Sequence, residues 1–303
     1  MLAIITALWP VFALLLLGHL ARRFDFPGEG FWAPAEKATY YVFFPALLVS
    51  RLAQSELTGG ASLSLVAAVL LLLGGGVLVC LLLKPVLGLS AAAYTSFFQG
   101  AMRFNTYVAL AATAALHGDA GIVYAAIITA VMIPLLNLLC VLAFSSLAAQ
   151  GSGVRRVLRT LATNPLILSC LLGIALSLTG LGLPVWVGSV LDLLARMALP
   201  LGLLAVGAGL SVRSLHGSWR ALGWSSGVKL LLFPLLALGA AGLMELDTLA
   251  TQVLVLFAAV PTATSAYILA RQLGGDADLM AAIITLQTLL AMLSLPLVLV
   301  LVV

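Results

Sequence analysis

The string AAIIT at residues 125–129 recurs at 281–285, 156 residues later. Four further markers recur in the same order at offsets of 155 to 157 residues: GDA at 118–120 and 275–277, Pro10 and Pro165, Gly18 and Gly173, and Pro45 and Pro200. Apolar composition alone does not place five markers in register, whereas transporter folds are often built from two related halves. The sequence therefore predicts an internal repeat.

The composition identifies the solvent that surrounds the chain. Of its 303 residues, 63% are hydrophobic and 8% are charged, against about 25% charged residues in an ordinary soluble domain. The 14 basic and 10 acidic side chains are too few to cover a soluble globule of this length. We therefore expect an integral membrane protein.

Apolar runs of about 20 residues, the length that crosses a bilayer, follow one another along the chain. They predict ten spans, near 2–20, 38–54, 61–83, 91–116, 120–148, 164–180, 184–210, 221–243, 248–272 and 279–302. The first has its basic residues behind it, the reverse of a secretory signal, and is expected to be a mature span.

The number of spans decides how the two halves are related. Each half holds five spans, and an odd number makes the second half enter the membrane from the opposite side. We predict an all-α polytopic membrane protein with ten transmembrane helices in two inverted five-helix repeats. The repeats are residues 1–148 and 164–303, joined by a basic cytoplasmic loop at 149–163.

Lysine and arginine residues indicate the orientation, because their excess in short loops marks the cytoplasmic side. The loops after odd-numbered spans hold ten of the 14 cations, and the opposite side offers Arg51. Both termini are therefore predicted to lie outside the cytoplasm. Three cations remain within spans, namely Arg103, Arg196 and Lys229.

Two spans carry residues that interrupt a helix at mid-membrane depth. Residues 99–106 (QGAMRFNT) combine a glycine, amides, a guanidinium and a hydroxyl, and 259–265 (AVPTATS) place a proline beside three hydroxyls. Irregular backbone survives at this depth only where it is buried or lines a cavity. Broken fourth and ninth helices that cross there would aim half-helix N-termini at one point, which should attract an anion.

Arg103 is the centre of this predicted site. It lies about twelve positions into its span, too deep to reach water easily, and its planar fork suits a carboxylate. The alternative is a structural pairing with a carbonyl or a buried acid. Hydrogen bonds to substrate are expected from nearby polar residues, and a helix break that exposes backbone groups is expected from a proline: Asn105, Thr106, Thr262 and Thr264, and Pro261.

Further polar residues within spans have weaker assignments. Gln287 and Asn137 are amides that could line the cavity or tie helices together, and Gln287 is the preferred substrate ligand. Asp192 and Arg196 have the spacing of an intrahelical ion pair, with a structural role favoured over proton coupling. Lys229 is expected to snorkel or to pair with Asp192.

Several classes of function are excluded. The cations form no cluster dense enough for nucleic acid, the three cysteines have no metal-ligand or disulfide spacing, and no enzyme motif is present. We therefore expect no enzyme activity, no metal, no cofactor and no nucleic-acid partner.

Several stretches resemble the auxin efflux carrier family, which includes plant auxin exporters and carriers of malonate and malate. The resemblance covers essentially the whole chain and is carried by YVFFPALL at 41–48, RFNTYV at 103–108, NPLILSCLLG at 164–173, LPLGLLAVGAGL at 199–210, PTATSAYILARQLGG at 261–275 and QTL at 287–289. It implies that spans 1, 2, 6 and 7 form a scaffold and homodimer surface, and that spans 3–5 and 8–10 form a transport domain that moves as an elevator.

By the same resemblance, helices four and nine cross at the substrate site, with Asn105 and Pro261 at the family's positions. The fourth-span crossover has Asn105-Thr106 in place of the plant proline. We expect a secondary carrier of small organic anions in the bacterial inner membrane. The alternatives are a sodium-coupled anion symporter resembling bile-acid transporters, and a membrane sensor or accessory subunit that does not transport.

Overall fold

The computed structural model describes residues 2–54, 59–147, 163–210 and 219–302. Most of the basic loop predicted at 149–163 lies outside these ranges, as do four of the cations that indicate orientation: Arg155, Arg156, Arg159 and Arg213.

The described part of the chain is all helical and contains no strand. Its α-helices are α1 (Leu2–Arg23), α2 (Glu29–Ala38), α3 (Phe44–Ala53), α4 (Gly59–Leu87), α5 (Ala91–Met102), α6 (Thr106–Leu147), α7 (Pro165–Thr179), α8 (Val185–Ala208), α9 (Trp219–Gly227), α10 (Phe233–Leu243), α11 (Thr248–Ala259), α12 (Ser265–Leu273) and α13 (Ala277–Val300). Helix α6 is kinked at Gly118, whose φ of 57° and ψ of −148° are not helical. A π-helical turn at Thr39–Phe43 joins α2 to α3, and a second at Val228–Leu232 joins α9 to α10. Both turns precede a Phe-Pro pair, where the proline removes one backbone donor from the helix.

Six helical stretches of the described residues are long and apolar enough to cross a membrane. They are Ile4–Arg23, Leu63–Leu87, Ala91–Phe144, Val185–Ala208, Trp219–Leu243 and Ala277–Val300. Helices α7 and α11 are shorter apolar helices. The chain is therefore a polytopic membrane protein.

The predicted fourth and ninth spans are each interrupted. Helices α5 and α11 both contain 12 residues, and they begin 157 residues apart, as the GDA strings do. The residue after each is extended: Arg103 has φ −73° and ψ 158°, and Val260 has φ −71° and ψ 153°. The backbone N–H of Asn105 donates to the carbonyl oxygen of Pro261 over 2.8 Å, so the two interruptions are in direct contact.

Helix α2 replaces a predicted loop. The sequence places residues 21–37 outside the spans, whereas the chain is helical from Glu29. Trp32 is buried in a small apolar cluster with Ala205 and Ala208 of α8. This contact is tertiary, so the local sequence gives little sign of it, and it brings Lys37 towards the interrupted helices.

Glycines set the closest helix contacts. A Cβ atom at Gly18 of α1 would lie 2.0 Å from the Leu204 carbonyl oxygen of α8, and one at Gly207 would lie 1.9 Å from the Leu15 carbonyl oxygen. Helix α7 meets α3 in the same way at Gly173. Small residues allow helix backbones in membranes to approach this closely. Helices α1, α3, α7 and α8 form one group of packed helices, and α4, α5 and α9–α13 form a second group around the interruptions. Helix α6 contacts helices of both groups.

Candidate functional site

Arg103 lies at the first interruption, and its guanidinium forms hydrogen bonds with neutral side chains. Its Nη1 donates to Asn137 Oδ1 and its Nη2 donates to Ser265 Oγ, each over 3.2 Å. Its Nε is buried and has no hydrogen-bond partner. The described residues contain one ion pair, Arg51 with Asp119, so no acid among them neutralises Arg103. Helices α6 and α12 thus orient the guanidinium and leave its positive charge available.

A cavity of about 290 Å³ opens at Arg103. Its polar lining is Tyr40, Tyr41, Arg103, Thr106, Asn137, Thr163, Asn164 and Ser265. No acidic side chain lines it in the part of the chain that the structure describes. A cation in a partly apolar cavity without an acid favours an anionic ligand, because burying an unpaired charge is costly.

A second cavity of about 360 Å³ shares Thr106 and Ser265 with the first. Thr264 also lines it, and α2 contributes Glu36 and Lys37. Burial raises the pKa of the Glu36 carboxyl above its ordinary value. The two volumes lie near the lower end of the range for ligand pockets and suit a molecule of a few carbon atoms.

Asn105 forms the start of α6. Its Oδ1 accepts hydrogen bonds from the backbone N–H groups of Tyr107 and Val108, over 3.1 and 3.2 Å. The side chain is buried, and its Nδ2 has no hydrogen-bond partner. Helix α12 begins after Thr264 without a side-chain cap. Both helix N-termini border the second cavity, so their partial positive charges add to that of Arg103.

Gln287 joins the two interruptions inside the protein. Its Oε1 accepts from the Thr262 backbone N–H over 3.0 Å. Its Nε2 donates to the Gly100 carbonyl oxygen over 3.0 Å and to Ser225 Oγ over 3.1 Å. Gln287 and Thr262 are both fully buried, and neither lines the two cavities.

Comparisons with known proteins relate the chain to membrane transporters. Residues 152–299 match the family model described as "Membrane transport protein". A protein of Methanothermobacter thermautotrophicus, named "Uncharacterized transporter", is 29% identical over 293 residues, which cover 95% of this chain and 94% of the relative. A Rhizobium meliloti protein, named "Putative malonate transporter", is 29% identical over 310 residues, which cover 93% and 90%. The chain is therefore similar to membrane transport proteins over nearly its whole length. Neither the family model's description nor these relatives' names indicate an enzyme.

The structure brings only part of the predicted site together. Arg103, Thr106 and Thr264 line the cavities, and Asn105 borders the second while capping a helix. Pro261 contributes its carbonyl oxygen to the contact between interruptions.

The predicted choice between the two amides is reversed. Asn137 lines the first cavity and holds Arg103, whereas Gln287 ties backbone segments together. The prediction also left out Ser265, which binds Arg103, and Tyr40 and Tyr41, which line both cavities. Ser265 follows Thr264 directly, so the run of hydroxyls was its signal. The tyrosines had none, because a pair of aromatic residues in an apolar helix is ordinary.

Two predictions about charged residues are wrong. Asp192 does not pair with Arg196. Helix α3 packs on α8 and places Ser50 Oγ 2.5 Å from Asp192 Oδ1, while Arg196 is exposed. Lys229 neither snorkels nor pairs with Asp192, since its side chain is fully buried and its Nζ has no hydrogen-bond partner.

Proposed function

We propose that this protein is a secondary carrier of small organic anions, with carboxylates such as malonate, malate or auxin-like acids as substrates. The observation that carries the proposal is Arg103, which no acid among the described residues neutralises and which faces a cavity at the contact between two interrupted helices. A planar guanidinium with neutral tethers can bind a carboxylate with two parallel hydrogen bonds. The name of the Rhizobium meliloti relative supports malonate as the first compound to test.

The carrier works, in this proposal, by elevator-type alternating access. Ten spans form two inverted repeats, with α1–α3, α7 and α8 as the scaffold and α4–α6 and α9–α13 as the transport domain. The equal lengths and matching extended ends of α5 and α11 support the repeat. Arg103 and its partners Asn137 and Ser265 all lie in the transport domain and can move together. The scaffold completes the cavities through Tyr40, Tyr41 and Asn164, so movement of one group against the other would change access to the site.

The proposal also includes the protein's membrane, its orientation and its oligomeric state. The protein lies in the bacterial inner membrane with both termini outside the cytoplasm, and two copies join through their scaffolds. Large apolar side chains exposed on α8, including Trp186 at 75% and Leu193 at 65%, support a surface covered by lipid or by a second copy.

Substitution of Arg103 tests the proposed function. In proteoliposomes, Arg103→Ala should reduce malonate uptake at least tenfold, because a hydrogen bond to a charged group contributes about 1.5–3 kcal/mol. Arg103→Lys should retain part of the uptake, since lysine keeps the charge and loses the fork. The control is Arg196→Ala, which removes an exposed cation outside both cavities. Uptake by Arg103→Ala equal to that of wild type would remove Arg103 from the site.

Two alternatives give different results in the same vesicles. A sodium-coupled symporter resembling bile-acid transporters would lose uptake when potassium replaces sodium. A sensor or accessory subunit would bind malonate in a thermal-shift assay without moving the labelled compound across the bilayer. We expect uptake that does not depend on sodium.

A further inference from the structure

Lys229 is a buried amine that the proposed carboxylate site does not use. It lies in the π-helical turn Val228–Leu232, is fully buried, and has an Nζ without a hydrogen-bond partner. Its Nζ lies over the ring of Phe233, 4.9 Å from the ring centroid. Short π-helical segments inside α-helices occur frequently at functional sites.

The elements packed against this turn supply no counter-ion. They are α5, α9, α10, α11 and α13. The titratable groups on them are Tyr94 of α5, whose hydroxyl donates to the Cys80 carbonyl oxygen, Arg220 of α9, which donates to the Val86 carbonyl oxygen, and Asp278 in the first turn of α13. None forms an ion pair or a hydrogen bond with Lys229 in the described residues. An ammonium buried in this way is strongly disfavoured unless an anion or water reaches it.

Lys229 is also one helical turn from the hydrogen bonds that join the two interruptions. Ser225 precedes it by four residues, the spacing of neighbours on one helix face. Ser225 Oγ accepts from Gln287 Nε2, and Gln287 in turn contacts Gly100 and Thr262. A charge that appears at Lys229 therefore lies close to the network that holds the crossing.

We propose that Lys229 is the proton carrier of a proton–anion cotransport. The inference rests on the proposed function. Its Nζ lone pair takes a proton from a hydronium ion on one side of the membrane, so that an O–H bond breaks, an N–H bond forms and a water molecule remains. Lys229 lines neither cavity, and the organic anion bound at Arg103 supplies the compensating negative charge from the other side of the Gln287 hydrogen bonds. The N–H bond breaks to water on the other side when the anion leaves, and the neutral amine returns with the empty site.

The test uses purified full-length protein in liposomes with labelled malonate and an internal pH indicator. For the wild type we expect an inward acid gradient to drive malonate accumulation, and malonate entry to acidify the lumen. Lys229→Met should retain malonate–malonate counterflow but lose both acid-driven accumulation and acidification. Arg220→Met, which removes an exposed cation from the helix just before the turn, should retain all three. Accumulation by Lys229→Met equal to that of wild type would overturn the proposal.

Nitrogen-15 NMR of labelled lysine gives a second measurement that does not depend on transport. The chain contains three lysines, Lys37, Lys84 and Lys229, and the Lys229 signal is the one missing from Lys229→Met. If that variant does not fold, Lys37→Arg and Lys84→Arg assign the signal by elimination. We expect Lys229 to show a neutral amine that malonate converts to ammonium. A permanent ammonium signal, or a neutral amine that malonate leaves unchanged, would overturn the proposal.

These experiments distinguish failure of the proton-carrier proposal from failure of the proposed anion transport. Counterflow by the wild type without acid-driven accumulation overturns the proton carrier and leaves the anion carrier intact. No malonate counterflow by the wild type overturns both.

Discussion

At the scale of single residues, the environment of a charge decides its use. Arg103 is tethered by an amide and a hydroxyl rather than by an acid. An acid in that place would neutralise the guanidinium and leave nothing for a substrate carboxylate. Asp192 shows the opposite case, in which a hydroxyl from a neighbouring helix satisfies a carboxylate and ties two helices together.

Gln287 should contribute more to the free energy of unfolding than a partly buried amide with one hydrogen bond does. Gln287→Leu leaves the Thr262 N–H and the Gly100 carbonyl buried without partners, and each such group costs about 1–3 kcal/mol. We expect the free energy of unfolding to fall by about 2–4 kcal/mol, measured by denaturant titration in detergent. Gln252→Leu is the control, because Gln252 makes one hydrogen bond to the Val302 carbonyl oxygen. Equal losses in the two variants would contradict the role of Gln287 as a tie.

Glu36 should make stability depend on pH in a defined direction. Burial raises the pKa of its carboxyl in the folded state, so the folded protein holds this proton more tightly than the unfolded chain does. Its contribution to stability is full below the pKa of the unfolded chain and is lost as the pH rises through the folded value. Thermal unfolding of wild type and Glu36→Gln should therefore diverge as the pH rises from acid to neutral, with the wild type losing stability relative to the variant. Parallel curves would show that Glu36 keeps its ordinary pKa.

At the scale of elements, helix starts follow rules that the sequence contains. Among the described residues, side-chain caps begin five helices, at Ser90, Asn105, Asn164, Asp247 and Asp276. Residues of these types are favoured at such positions because their oxygens accept from free backbone N–H groups. Asn105 and Asn164 differ from the other three, since they also line the second and the first cavity.

Asn105→Ala should therefore affect both stability and transport. Loss of an N-cap costs about 0.5–2 kcal/mol, and the start of α6 would lose its fixed position beside the second cavity. Asp276→Ala is the matched control, because it removes the cap of α13 and Asp276 lines neither cavity. We expect similar losses in thermal stability, with malonate uptake per folded molecule reduced only in Asn105→Ala. Equal uptake by the two variants would show that the Asn105 cap has no role in transport beyond stability.

The sequence predicted where helices are interrupted better than which side chains face the cavity. Glycine, proline and capping residues act locally, so the extended residues after α5 and α11 fall within the predicted stretches. The choice between Asn137 and Gln287 depends on how α6 and α13 are rotated against their neighbours, and both amides look alike within an apolar run. The sequence did not predict α2 either, because the burial of Trp32 depends on a tertiary contact with α8 that a local pattern does not contain.

At the scale of the whole molecule, the proposed elevator requires that one group of helices moves against the other. The glycine contacts of α1 with α8 and of α3 with α7 make the proposed scaffold close packed. One polar link between the two groups is the ion pair of Arg51 on α3 with Asp119 on α6, which is 3.1 Å long and joins side chains that are 31% and 72% exposed. Surface ion pairs of this kind contribute only about 0–1 kcal/mol, so this one can break during each cycle without a large cost.

A covalent link at this place should stop transport and leave binding intact. With cysteines in place of Arg51 and Asp119, joined by a short bifunctional reagent, the two groups are held in one arrangement, so malonate flux should fall to that of protein-free liposomes. Malonate should still raise the thermal stability of the linked protein, because Arg51 and Asp119 line neither cavity and the link holds the two groups in the arrangement that forms the cavities.

The matched controls carry one introduced cysteine each, Arg51→Cys or Asp119→Cys. The same reagent can then attach to one group of helices only, so flux should remain unchanged. The three native cysteines are buried, which favours reaction at the introduced cysteines. Flux that survives the Arg51–Asp119 link at full rate would contradict the elevator, because a rigid connection between two groups cannot coexist with their relative movement.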